Sequence, residues 1–211
     1  MKKISLSTLL MAIIGILCVG TGVAFNAGAG LGNDPIGILY DGIRTVFHLS
    51  PSSLGTASNI VNASLTLLLF FIGRRYVNIG TLIYILPYGF AVTIGNHLFS
   101  LLFSHQTLFA RLLAAGCGCF LVYLGVALYI SASIGMDPFN GLAMAIKDIL
   151  HTEYRMVKVP SDCLLIGIGF LLGGKAGFIT LFTAFTAGPS IQFLANCISK
   201  KREARQTAVS R

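Results

Sequence analysis

Two aspartates, each followed by proline, carry the strongest chemical signal in this chain: Asp34-Pro35 and Asp137-Pro138. An aspartate at a helix cap accepts free backbone N–H groups, and a proline at the first helical position has no N–H to leave unpaired. Two chemistries fit such a pair. Either the carboxylates simply start helices, or the two breaks meet inside the fold, where half-helix N-termini favour anionic groups and freed carbonyls hold a cation. Other polar groups recur with them. Arg44 matches Lys147, His48 matches His151, and Asn59 matches Asp162. A basic residue on a polar helix face is either solvated charge or a ligand for a polar or anionic solute, whereas lone imidazoles near an interface are commonly structural. Asp162 lies inside an apolar segment, where an acid tends to face a bundle interior and mark a pathway; the competing account is local pairing with Lys158, four residues earlier. The candidate substrate-binding residues are therefore Asp34, Asp137, Arg44, Lys147, Asn59, Asp162 and Asn140.

These matches all obey one spacing. Gly22-Val23-Ala24 leads to Leu31-Gly32-Asn33-Asp34-Pro35, Gly125-Val126-Ala127 leads to Ile134-Gly135-Met136-Asp137-Pro138, and the copies stand 103 residues apart (137 − 34 = 103). An internal duplication fixes the architecture before any element is assigned. The copies divide the chain into residues 1–103, residues 104–199 and a basic tail at 200–211. Thr81 and Thr180 keep the alignment at a spacing shortened to 99 (180 − 81 = 99), so four residues are missing before the last segment of the second copy.

Composition sets the solvent. With 55% hydrophobic and 10% charged residues, the chain carries apolar runs long enough to cross hydrocarbon. Six segments are predicted to span, at about 4–27, 53–73, 78–103, 107–133, 156–173 and 176–199. With the N-terminus inside, all of the 15 Lys and Arg except Arg44, Arg111 and Lys175 fall on the cytoplasmic side. The net charge of +8 is then explained by topology and attraction to lipid headgroups, with no soluble domain to hold nucleic acid. Three crossings per copy, an odd number, make the second copy inverted. The fold class is thus all-α integral membrane, six transmembrane helices as two inverted three-helix repeats.

After each Asp-Pro a short amphipathic helix is predicted, with Ile36, Leu39, Ile43, Val46 and Phe47 on one face of the first and Phe139, Leu142, Ile146, Ile149 and Leu150 on one face of the second. Each is too short to span, so it lies in the interface or re-enters the membrane. Helix breaks are expected at Gly32-Pro35, at Gly135-Pro138, and at Pro87 and Pro189. Gly15 and Gly22 share a helix face, as do Gly118 and Gly125, which suits close approach of the two equivalent helices. The five cysteines form no CxxC pair and read as small apolar fillers.

The run GVAFNAGAGLGNDPIGIL, its copy GVALYISASIGMDPFNGL, and Gly80-Thr81 resemble the YczE/YyaS/YitT group of small bacterial membrane proteins, its YczE branch in particular. That resemblance implies a bacterial inner-membrane protein and supplies no catalytic or binding residues. On function, inverted repeats favour a small-solute transporter or permease with alternating access, its substrate polar or anionic. The alternative is an accessory membrane protein that supports a partner enzyme or biosynthetic complex. An enzyme is not expected, since HExxH and GxSxG are absent, and neither is a cofactor or a metal. Expected partners are the lipid bilayer and the solute, with room for a homodimer or a membrane partner protein.

Overall fold

The structure is a computed structural model that describes residues 5–103 and 107–209, with side chains left out for residue 86 and residues 202–209. Lys2, Lys3 and Arg211, which enter the charge-based orientation, lie outside the described residues. Eight α-helices and no strand occur among the described residues: α1 Leu6–Ala29, α2 Pro35–Val46, α3 Leu54–Ile72, α4 Ile79–Leu102, α5 Leu108–Ala132, α6 Pro138–Leu150, α7 Tyr154–Leu171 and α8 Phe178–Val209. Single 3₁₀ turns precede α3 at Pro51–Ser53 and follow it at Arg74–Tyr76.

Polar caps start the long helices. Ser5, Asn78 and Thr107 each accept a backbone N–H three residues on, at 3.2 to 3.3 Å. Left-handed residues stop α1 at Gly30 and α5 at Ser133.

α1 and α5 form the central seam and run antiparallel. A Cβ added to Gly22 would lie 2.5 Å from the Gly118 carbonyl, and one added to Gly15 would lie 2.7 Å from that of Gly125. Only glycine lets the two backbones approach so closely. α4 covers the other side of α1 through Phe25, Phe99 and Phe103, whose rings meet edge-on or stacked at 5.5 to 6.0 Å.

The short helices cross between the halves. α2 packs on α7, and α6 packs on α3. Behind each lies a matching dock. Leu31 accepts the Ile179 N–H at 3.0 Å, so the loop before α2 sits on the start of α8. Thr81 donates to the Met136 carbonyl at 2.9 Å, so the loop before α6 sits on the start of α4. Gly32, at φ +104°, lies against Gly177, where a Cβ would come within 2.6 Å of its nitrogen. Thr81 and Thr180 are therefore the sockets of the two loops, beyond marking the duplication.

Burial is inside-out for a water-soluble protein. Phe71, Leu101, Phe109, Leu171 and Phe185 are exposed, while Asn26, Asn33, Ser58, Asn62 and Thr66 are buried. Among the described residues, five helices are long and apolar enough to cross a membrane: α1, α3 with its leading turn, α4, α5 and α8 up to Lys201. α7, expected as the fifth of six spans, stands outside that set because Arg155, Lys158 and Asp162 interrupt its 18 residues. Pro87 and Pro189 do not end a helix; each lies inside an unbroken one, as membrane-type bundles tolerate. The apolar faces predicted for the short helices are only partly covered: Leu39, Phe139 and Leu142 are buried, but Val46, Phe47, Ile149 and Leu150 are exposed.

Candidate functional site

The chain doubles back after α1. Asn33 donates through Nδ2 to the Val23 carbonyl at 3.1 Å, two turns short of the helix end, and accepts the Asp34 N–H at 3.0 Å. The head of α2 is thereby set beside α1 and within the bundle. Asn33, which has no polar counterpart in the second copy, is the strut that does this.

The two aspartates then differ. Asp137 caps α6 in full: its Oδ1 accepts the Asn140 N–H at 3.0 Å and its Oδ2 accepts the Asn140 side-chain amide at 2.7 Å. The Tyr154 hydroxyl donates to Asn140 Oδ1 at 2.8 Å and fixes that amide. Asp34 makes no side-chain cap bond, and its Oδ1 is buried with no hydrogen-bond partner. One position accounts for part of the difference: Gly37 stands where the second copy has Asn140, so Asp34 lacks the side-chain amide that holds the second oxygen of Asp137 and has the Gly37 backbone N–H nearby.

Both carboxylates act on a shared cluster of tyrosines. Tyr40 lies within electrostatic reach of Asp34 and Asp137, and so does Tyr84. Tyr40 meets Tyr88 edge-on at 5.7 Å, Tyr88 stacks on Tyr84 at 5.0 Å, and Tyr84 meets Tyr129 at 5.4 Å. The Tyr40 hydroxyl donates to Asn62 Oδ1 at 3.1 Å. Asn62 Nδ2, Asn59 Oδ1, Asn26 Nδ2 and the Tyr129 hydroxyl are buried without a hydrogen-bond partner. Buried polar groups left open in this way call for an explanation beyond packing.

Asp162 lies on α7 in an ion pair with Lys158. The Lys158 ammonium also sits 4.3 Å over the Phe139 ring, and Asp34 is within electrostatic reach of both members of the pair. Asn59, the counterpart of Asp162, lies between α3 and α4, crowding Gly89.

Arg44 and Lys147 are not brought together. Arg44 pairs with Asp41 at 2.8 Å and donates to the Leu49 carbonyl at 3.0 Å, closing the end of α2. Asp41 also accepts the Lys175 N–H at 3.1 Å. Lys147 is 3.4 Å from Asp148, which holds Arg75 and the Tyr76 hydroxyl. That hydroxyl, followed by the neighbouring cations, keeps the Asp148 carboxyl below its usual range. Beside it opens a groove of about 390 Å³ lined by Gly73, Arg74, Arg75 and Ala145. His48 and His151 both adopt positive φ, 50° and 51°, where each short helix ends, a turn role consistent with the structural reading of these imidazoles.

One seam distinguishes the halves. α3 and α4 are tightly joined: a Cβ on Gly55 would lie 2.3 Å from the Gly89 carbonyl, and Asn96 donates to the Pro51 carbonyl at 3.3 Å. No comparable seam joins α7 and α8 among the described residues, and Gly188, the counterpart of Gly89, has nothing within 4 Å of a would-be Cβ. Lys158 and Asp162 are each 27% exposed there.

The tyrosine cluster and Asn62 escape a search for matched residues because they are unmatched. Tyr40 and Asn62 correspond to Ala143 and Leu165. The available signal was Tyr84 and Tyr88, four apart on one face of α4.

Such a molecule, all-helical with apolar helices of membrane-crossing length and two broken segments aimed at a polar interior, falls in the class of helical membrane folds. Residues 6–196 match the family described as "Family of unknown function (DUF6198)", and the chain belongs to it. It is 28% identical over 193 residues to an uncharacterized protein of Haemophilus influenzae, covering 92% of this chain and 84% of that one. It is 26% identical over 183 residues to uncharacterized protein YyaS of Bacillus subtilis, covering 83% and 86%. It is also 24% identical over 180 residues to uncharacterized membrane protein YczE of the same organism, covering 85% and 81%. The resemblance to the YczE/YyaS group is borne out. No solved structure matches the chain.

Proposed function

We propose that this protein is a small-solute transporter of the inner membrane, working by alternating access between two inverted repeats. α1 and α5 are equivalent helices packed antiparallel, as a two-fold axis in the membrane plane requires. The two halves then carry equivalent gates, α3 with α4 and α7 with α8. The observation that carries the reading is their inequality: one gate is sealed through Gly55 and Gly89 while the other stands apart at Gly188. Matched gates in opposite states are what exchange of conformations between halves produces. The substrate site lies between the gates, at Asp34, Asn62 and the tyrosine hydroxyls, with Asp162 and Asn140 along the route from the open side. A polar solute suits these unpartnered groups. Arg44 serves instead to close the end of α2, and Lys147 pairs with Asp148.

The test is a thermal-shift screen of polar solutes on the purified chain, followed by uptake of the stabilising solute into proteoliposomes. Saturable uptake is expected, lost in Asp34→Asn while membrane insertion is kept. Absence of any response to solutes, ions or proton gradients, with a stable protein partner co-purifying, would replace transport by the accessory role.

A further inference from the structure

The two gates use matched positions, yet only one is charged. Where the first half has Gly55 and Asn59, the second has Lys158 and Asp162. The sealed gate shows what closure demands of those positions. Position 55 has no room for a side chain, its would-be Cβ meeting the Gly89 carbonyl at 2.3 Å and Thr93 Oγ1 at 2.5 Å. Position 59 holds a neutral amide with its oxygen buried and unpartnered, pressed against Gly89. A carboxylate driven into the equivalent place against Gly188 would be stripped of water without a donor to replace it, and an ion in that state is strongly disfavoured. Lys158 cannot remain where Gly55 shows that no side chain fits.

Resting on the alternating-access reading, we infer that Asp162 is a proton-binding site, and that the α7–α8 gate closes when its carboxylate takes up a proton. A proton from water in the open crevice adds to a carboxylate oxygen and gives the neutral acid; no other covalent bond changes. The Lys158 ammonium loses its ionic partner and passes to Asp34, whose buried Oδ1 has none. Lys158, within electrostatic reach of Asp34 as well as paired with Asp162, holds both carboxylates ionised in the open state, which carries one net negative charge; closed, it carries none, because Lys158 neutralises Asp34 and Asp162 is uncharged. Asp162 receives the proton because it is the acid open to the crevice and the one whose counterpart is an asparagine. The groups that face it are few. Lys158 and Tyr154 lie on its own helix, and Asp34 heads α2. From α6, the Phe139 ring underlies Lys158, and Asp137 acts on Tyr154.

Spin labels at Met156→Cys on α7 and native Cys197 on α8, with the other four cysteines changed to alanine, report the gate in liposomes by pulsed electron resonance. The parent protein is expected to exchange a long-distance population at pH 8 for a short one at pH 5. Asp162→Asn, which installs the residue found in the sealed gate, is expected to hold the short distance at both pH values. Asp34→Asn, which removes the receiving site of Lys158, is expected to hold the long one. If the gate moves but Asp162→Asn titrates like the parent, or if it moves with solute and not with pH, the proton site falls and alternating access stands. A single unchanging distance in every variant and condition overturns both.

Discussion

Asp34 and Asp137 occupy one position in two copies, and the residue three places on decides what each does. Asn140 gives Asp137 a reciprocal partner, so that carboxylate is consumed in starting α6; Gly37 gives Asp34 no side-chain partner. Loss of a capping side chain costs about 1 kcal/mol, within a range of roughly 0.5–2. Asp137→Ala is therefore expected to lower the unfolding free energy by about that amount. Asp34→Ala is expected to leave it unchanged or slightly raised, because it removes a buried oxygen that has no partner. Thermal or denaturant unfolding of the purified variants in detergent measures the difference. Equal losses would mean that Asp34 is a second cap, and the binding role drawn for it would lose its basis.

Among elements, the duplication was legible because its signals are local: Asp-Pro, the glycine faces and the apolar runs stand in fixed order. The helices at Pro35–Val46 and Pro138–Leu150 appear within a few residues of their expected places. The crossing of α2 onto α7 and of α6 onto α3 was not legible, since Thr81 reaches the Met136 carbonyl and the Ile179 N–H, beside Thr180, reaches the Leu31 carbonyl, each across more than fifty residues of chain. Nor was the seam that joins only one pair of helices, because identical glycines, Gly89 and Gly188, meet different surroundings. That difference has its own consequence. Gly55→Ala must push the Gly89 backbone aside, and overpacking of this kind costs about 1–3 kcal/mol. Gly188→Ala meets open space and gains helix propensity, roughly 0.5–1 kcal/mol in favour. Unfolding midpoints of the two variants should move in opposite directions; a comparable loss in both would show α7 and α8 joined as closely as α3 and α4.

For the whole molecule, everything turns on whether α7 crosses the bilayer. Among the described residues five helices qualify by length and apolarity without it, and five crossings would leave the chain ends on opposite faces. Six would place them together and make the halves inverted. α7 has 18 residues, about 27 Å at 1.5 Å per residue, close to the ~30 Å of a hydrocarbon core. Its charges are confined to the first nine positions: Arg155 and Lys158 can reach the near headgroups along their apolar stems, and Asp162 is already paired with Lys158. Its second half, from Cys163 to Leu171, has no charged residue and exposes Leu164, Phe170 and Leu171. The antiparallel α1–α5 seam sets an odd number of crossings in the first copy, which α1, α3 and α4 supply, and leaves α7 to be tested by itself. Reporter tags at the two ends, assayed in intact cells and after permeabilisation, should both be shielded until the membrane is opened. A tag exposed at one end alone would take α7 out of the bilayer and, with it, the two-fold relation on which exchange between the gates depends.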